Sequence, residues 1–244
     1  MQDVDSESVD GIDRQVQREF WMNALLNPQV LYGMDTQSAA KFLVDEIKVL
    51  NVFLKDLLED AYLIWLDLCC GDGNIHPLLL SRRCLGFYVQ DCNVNFLTAV
   101  KQGALLGGYS HKIWGYILCD LAHLNLGQLG RKIDVAIGRQ AAGYLGGDNF
   151  RELLRKLYEA GVGTLILREC ICKEVKDIHT EEDQQYRVRT KAQYDDLLEN
   201  VPGCVALLYA HRTEEYPSHY DGVFFLYMHI KLTGRAPSPK KEKK

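Results

Sequence analysis

No apolar run in this chain approaches the roughly 20 residues that a membrane-spanning helix needs, so no membrane partner is expected. A broad basic field is missing too. The net charge is −5, and the one dense run of cations is the tail Lys240-Lys241-Glu242-Lys243-Lys244. A solvated, disordered end accounts for such a run, so no nucleic-acid partner is expected either. Metal-binding spacing is absent: Cys69-Cys70 and Cys170-x-Cys172 have no partner pair at finger-like distance. The seven histidines form no ligand pattern, and His76, His111 and His123 read as surface or helix-end residues. A secretory or transit segment is missing, since the opening MQDVDSESVDGID is acidic and polar. These absences point to a reducing interior, the cytoplasm with the nucleus also open. There the eight cysteines serve as small hydrophobes rather than disulfides. No internal repeat or interdomain linker interrupts the chain, and a monomer is expected.

What is present alternates between two periodicities. Residues 1–15 read as disordered, and Arg18–Leu26 as a short amphipathic helix carrying Phe20, Trp21, Leu25 and Leu26, interrupted by Asn27-Pro28. From Gln37 a long helical pattern follows, with Ala40, Phe42, Leu43, Ile47, Leu50, Phe53, Leu54, Leu57 and Leu58 recurring at three and four. Asp35 or Thr36 is positioned to cap it. Tyr62–Leu68 is a continuous apolar run of strand length, the pattern of a parallel strand covered on both faces.

Beyond the turn Cys69-Cys70-Gly71-Asp72-Gly73, the pattern predicts a helix over Asn74–Arg82, with Pro77 tolerated in its first turn. Strands are then expected at Leu85–Gln90, Trp114–Cys119, Ile133–Ile137 and Gly163–Leu167, and helices at Val94–Leu106 and Phe150–Tyr158. A helix at Ala192–Glu199 and strands at Cys204–Ala210 and Val223–Ile230 complete the series. Strands alternating with helices indicate an α/β sheet covered on both faces. Residues 16–232 form one domain, with 16–59 as a helical cap over one end of the sheet, and 233–244 form a basic disordered tail.

Three features fall where such a sheet binds ligands, beyond the carboxyl ends of its strands. The first is the turn Asp67-Leu68-Cys69-Cys70-Gly71-Asp72-Gly73, whose glycines allow positive φ and close approach, with helix N–H groups behind them. The second is Asp91, at the end of the second strand, where a carboxylate can accept both ribose hydroxyl hydrogens of an adenosine. The third is Asp120, at the end of the third strand, placed to read an adenine amino group, with Leu121 and Ala122 lining a flat apolar slot. A dinucleotide enzyme shares the first two features. Its third fingerprint glycine is absent, however, because His76 stands there. No Lys-Ser or Lys-Thr follows the turn, which excludes a P-loop. S-adenosylmethionine has no pyrophosphate and does not need that approach, so it is the expected cofactor. A non-catalytic scaffold of the same shape is the other reading.

The turn Leu66–Gly73 resembles motif I of the seven-stranded class I methyltransferases, a resemblance that covers about residues 60–232. It implies a Rossmann-like seven-stranded sheet whose last two strands are an antiparallel edge pair. A narrower resemblance covers almost the whole chain and is to the α-N-terminal protein methyltransferases. Met34–Leu43 is similar to that family's N-terminal helix entry, and Phe20-Trp21 to the aromatic pair before it. Ile133–Leu145 is similar to the fourth-strand segment, Leu165–Cys170 to the fifth strand, and Glu182-Asp183 with Arg189-Thr190 to an acidic and Arg-Ser segment.

Departures are visible. Asn74 replaces an arginine, Arg139-Gln140 a Gln-Trp pair, Tyr144 a histidine and Cys170 an asparagine, and no Gly-Gly-Tyr loop precedes the long helix. The resemblance assigns Asp67, Gly71, Gly73, Asn74, Asp91, Asp120, Leu121 and Arg139 to the cofactor. It assigns Phe20, Trp21 and Cys170 to the substrate, and Asp183 and Tyr144 to catalysis.

Methyl transfer from sulfonium to nitrogen is an in-line displacement, accelerated mostly by alignment. The α-amine, with a pKa of about 7.7–8.0, must also lose its proton. Asp183 is expected to take or orient that proton, Tyr144 to hydrogen-bond the amine or peptide, and Phe20 and Trp21 to close the pocket. The acceptor implied is a protein N-terminus of X-Pro-Lys type. A lysine or small-molecule amine, or a silent cofactor-binding protein, are the alternatives.

Overall fold

A computed structural model describes residues 37, 43, 44, 46–51, 54, 62–81, 83–173, 176–179, 185–199, 201, 205–215 and 223–233. Phe20, Trp21, Asp183, the cap candidates Asp35 and Thr36, and the basic tail lie outside them.

One seven-stranded sheet organises the chain. Its strands are β1 (Leu63–Leu68), β2 (Cys84–Asp91), β3 (Ile113–Leu118), β4 (Val135–Arg139), β5 (Thr164–Cys172), β8 (Val205–Glu215) and β9 (Val223–Thr233). Their spatial order is β3-β2-β1-β4-β5-β9-β8. The first five are parallel, and β9 runs antiparallel to both β5 and β8. A separate antiparallel hairpin, β6 (Lys176–His179) with β7 (Gln185–Val188), hangs between β5 and the next helix. Sequence periodicity missed it, because each strand is only four residues long, KDIH and QYRV, too short to show a repeat.

Helices cover both faces. The helices α1 (His76–Ser81) and α2 (Val94–Leu106), with Leu50 and Leu54 of the N-terminal helical residues, pack on one face around Trp65, Phe87, Val89 and Ile137. On the other face, α3 (Gly147–Glu159) and α4 (Lys191–Glu199) pack around Leu66, Leu68, Leu165 and Leu167. Phe150, Leu153, Leu154 and Leu157 recur at helical spacing and are all buried, and Asp148 in the first turn complements the helix dipole. Burying those four side chains stabilises the docking by about 6–12 kcal/mol before entropy. The N-terminus of α2 is capped by Asn93, whose side chain accepts from the Asn95 amide at 2.8 Å.

Two strands differ from expectation for identifiable reasons. β4 begins at Val135 rather than Ile133, because Asp134 pairs twice with Ile64. Its amide donates to the Ile64 carbonyl at 2.9 Å, and its carboxylate accepts from the Ile64 amide at 2.9 Å. β5 does not stop at Leu167 but runs on through Arg168 and Glu169 to Cys172, since both charges are buried and paired. The edge strand β8 and its neighbour β9 also extend beyond Ala210 and Ile230, pairing with each other as far as Glu215 and Thr233. Among the described residues no helix is long and apolar enough to cross a membrane.

Candidate functional site

The chain order turns back between β1 and β4, which lie side by side although β2 and β3 intervene in sequence. Ligands of open α/β sheets bind at this switch point. Both strands leave it through a strained residue: Cys69 after β1 has φ +51° and Gln140 after β4 has φ +54°. Non-glycine residues in this region cost about 1–2 kcal/mol and persist where their surroundings force them. Here the forcing groups are visible. Gln90, fully buried on β2, accepts the Cys69 amide at 3.0 Å and donates to the Cys119 carbonyl at 2.7 Å, tying the ends of β1, β2 and β3 together. The Gln140 amide donates to the Arg168 carbonyl at 2.7 Å, and its side chain donates to Cys170 Sγ at 3.3 Å.

The turn after β1 is built to admit a ligand on one side and pack tightly on the other. Gly71 (φ +53°) and Gly73 (φ +71°) both take positive φ. A Cβ on Gly71 would meet nothing within 4 Å, whereas one on Gly73 would come within 2.9 Å of the His76 ring and of Val100. Asp91 accepts the Gly71 amide at 3.0 Å and the Asn93 amide at 2.9 Å, and the Cys92 amide also favours its charge. A carboxylate has about four acceptor positions, so those amides leave room for a ribose hydroxyl. Burial pushes the Asp91 carboxyl above the usual range, and the amides draw it part of the way back.

Asp120 caps the short turn Leu121–His123, accepting the Ala122 amide at 2.9 Å, with Leu121 buried and Ala122 half-buried beside it. Asn74 is half-buried, and its amide closes an Asx turn on Asp72 at 3.2 Å. Gly71, Gly73, Asn74, Asp91, Asp120 and Leu121 are thus gathered at the ends of β1, β2 and β3.

The remaining assignments fall differently. Asp67 is buried beneath the turn, its carboxylate 2.9 Å from His76 Nε2. His76 opens α1, so it is the helix-end residue expected, but it does not lie at the surface. It is fully buried, with its ring 4.7 Å from that of Phe87, because it occupies the space between the glycine turn and α2. Arg139 turns to Glu46 of the N-terminal helical residues, at 3.3 Å from both carboxylate oxygens, and Arg168 reaches the same carboxylate at 2.8 Å. Cys170 is buried under Gln140 rather than open to a substrate. Tyr144 is half-buried in the turn Ala142–Tyr144, packed against the core of the β1 face.

Sequence reasoning missed three functional supports: Gln90, Glu46 and Glu169. Glu169 is fully buried and accepts three consecutive amides, those of Ala141 (3.0 Å), Ala142 (2.9 Å) and Gly143 (3.1 Å). The signal available was a charged pair, Arg168-Glu169, placed directly after an apolar strand run. Burial raises the thiols of Cys69, Cys70 and Cys119, and lifts Cys92 to about 12, so they are neutral packing groups at the site rather than nucleophiles. Among the described residues no three His, Cys, Asp or Glu side chains are grouped to hold a metal ion.

This strand order and this turn place the chain among known folds. The fold is that of the class I S-adenosylmethionine-dependent methyltransferases. A Leishmania major S-adenosylmethionine-dependent methyltransferase superposes with a TM-score of 0.71 at 19% identity, over 88% of this chain and 82% of that one. The magnesium protoporphyrin IX methyltransferase of Synechocystis, solved with bound S-adenosylmethionine, superposes with a TM-score of 0.62 at 15% identity, over 90% and 97% of the two chains. The [4+2]-cyclase SpnF also shares the fold, with a TM-score of 0.59 at 13% identity over 82% and 84%. No protein-family model and no curated protein matches the chain. At these identities the likeness concerns architecture, and SpnF shows that the architecture alone does not dictate one reaction.

Proposed function

We propose that this chain is an S-adenosylmethionine-dependent methyltransferase acting on an amine, most specifically the α-amino group of protein N-termini of X-Pro-Lys type. The observation that carries the reading is the Asp91–Gly71 pair: an ionisable carboxylate at the end of β2, held by the glycine turn at 3.0 Å and facing a turn with open space beside Gly71. In this reading Asp91 receives a ribose hydroxyl, Asp120 and Leu121 the adenine, and the backbone of Gly71 to Asn74 the amino-acid end. The bound cofactor would supply an electrophilic methyl group on a sulfonium.

The chain's own contribution is alignment and proton removal. Tyr144 orients the amine, and Asp183 accepts its proton, with Phe20 and Trp21 closing the pocket over it. The resemblance to α-N-terminal protein methyltransferases supports these roles. The decisive measurement is transfer of labelled methyl from S-adenosylmethionine to X-Pro-Lys peptides and to their N-acetylated forms. Labelling of the free peptides only is expected, with Asp183→Asn lowering kcat by about 100-fold. Wild-type rates in Asp183→Asn would remove the base assignment. Labelling only of lysine or of small amines would redirect the acceptor, and that second reading is favoured by one observation: Cys170 lies buried under Gln140 instead of facing an acceptor.

A further inference from the structure

The loop after β4, residues 140–145, is the part of the site whose shape rests on two buried charges. Its three amides, from Ala141 to Gly143, converge on the Glu169 carboxylate, two on Oε1 and one on Oε2. Its carbonyls are held from the other side, where Arg189 donates to Ala142 O at 3.1 Å and to Leu145 O. Both side chains are almost wholly inside the protein. They come from β5 and from the residue after β7, so two separate elements grip one six-residue loop. Tyr144 rides on that loop, and the strained Gln140 begins it.

The chemistry of the grip is specific to a carboxylate. An ionised carboxyl only accepts, and it can satisfy three amides at once. A protonated one turns one oxygen into a hydroxyl, a poorer acceptor, so the amide bonded to that oxygen is held more weakly. The charged and titratable groups around Glu169 are Arg168 on its own strand, Arg189 after β7 and Tyr194 on α4.

We propose that Glu169 is a positioning residue for the transfer reaction: as a carboxylate it holds the loop 140–145, and Tyr144 with it, in the working conformation, and its protonation loosens that hold. The kinetic half of this rests on the methyltransferase reading, whereas the loop half does not. Burial raises the Glu169 carboxyl to about 7, with the loop amides and the two arginines opposing that rise, so the change of state falls in the neutral range.

The test joins a spectroscopic and a kinetic measurement on the full chain. In ¹⁵N-labelled wild type, the amide resonances of Ala141, Ala142 and Gly143 are expected to titrate together with a midpoint near 7. Glu169→Gln should abolish that titration and Glu169→Asp should retain it. With labelled cofactor and peptide, the ratio of wild-type to Glu169→Gln kcat should rise about tenfold between pH 6 and 8, since the ionised fraction of a group at about 7 changes by that factor. The amine's own titration cancels in the ratio. Cofactor Kd should stay within about twofold, because Glu169 acts on the β4 loop and not on the ends of β1, β2 and β3.

Amides that do not titrate between pH 6 and 8 overturn the proposal, and so does a pH-independent kcat ratio. If Glu169→Gln fails to fold, the wild-type titration and the Glu169→Asp comparison decide alone. Coupled amide titration in a protein that transfers methyl to no amine would sustain the loop grip and sink the methyltransferase reading instead.

Discussion

The two halves of the site are held together in different ways. At the ends of β1, β2 and β3, neutral and acidic side chains bind backbone of the neighbouring turns: Gln90 to Cys69 and Cys119, Asp91 to Gly71, and Asp120 to Ala122 in its own turn. The partners lie within 30 positions in sequence, and the sheet itself brings them together. At the ends of β4 and β5 the ties are buried charges from distant segments. Glu46 reaches Arg139 across 93 positions, and Arg189 reaches Ala142 across 47. In the proposed reading the first half holds the cofactor through ties between neighbouring segments, and the second half, held by side chains from distant segments, meets the acceptor.

The largest test of the contrast removes a charge from the second half. Glu46 neutralises both Arg139 and Arg168, and Arg168 is only 1% exposed. Glu46→Ala leaves Arg168 buried without its carboxylate, a change that typically costs about 3–5 kcal/mol. Urea unfolding should show that loss. The triple variant Glu46→Leu, Arg139→Met and Arg168→Met should recover most of it, since apolar replacement of a whole buried ionic triad is often neutral or stabilising. A loss below about 1 kcal/mol for Glu46→Ala would mean that the N-terminal helical residues are not anchored through these charges.

The same division explains what could be read from sequence. The helix Val94–Leu106 and the turn with Asp91 and Asp120 were legible, because local periodicity and neighbouring strands determine them. The acceptor half was obscure for a physical reason. A charged pair at Arg168-Glu169 ends an apolar run in a local reading, while in the fold it continues β5, because Glu46, Arg189 and three loop amides surround it. His76 misled in the same way: beside a glycine turn it reads as a helix-end polar residue, yet Asp67, two turns of sequence earlier, makes it an interior one. Spacing alone does not reveal which polar side chains will find buried partners.

The next test acts on the first half. Asp91→Asn keeps an oxygen for the Gly71 amide, turns its NH2 toward the Asn93 amide at a modest cost in stability, and loses the charge that a ribose hydroxyl would use. A hydrogen bond to a charged acceptor contributes about 2 kcal/mol, which corresponds to roughly a 30-fold weaker Kd for S-adenosylhomocysteine by calorimetry. The pH dependence has a definite sign. The Asp91 carboxyl is raised by burial, so wild-type affinity should hold at neutral pH and fall on acidification, beginning above the ordinary carboxylate range. Asp91→Asn should lack that limb. Unchanged affinity in Asp91→Asn would break the assignment of the β2 end to the ribose.

The smallest effect separates the halves most finely, because it uses the same backbone strain in both. Cys69 and Gln140 sit at nearly equal positive φ, and glycine at either position removes the clash at a cost of about 0.5–1 kcal/mol in unfolded-chain entropy. At Cys69 the backbone tie to Gln90 survives the substitution, since the amide is the donor. Cys69→Gly should therefore change stability by about 1 kcal/mol or less, in the stabilising direction, with cofactor Kd unaltered. At Gln140 the side chain itself makes the tie to Cys170. Gln140→Gly forfeits that contact along with the strain, so it should be destabilising by about 1 kcal/mol and lower transfer to the acceptor without weakening the cofactor. Thermal unfolding with parallel Kd and kcat measurements on the two variants reads both signs. Equal behaviour at the two positions would show that the turn after β1 and the loop after β4 are held by backbone alone, and the distinction between the two halves would then rest on the buried charges only.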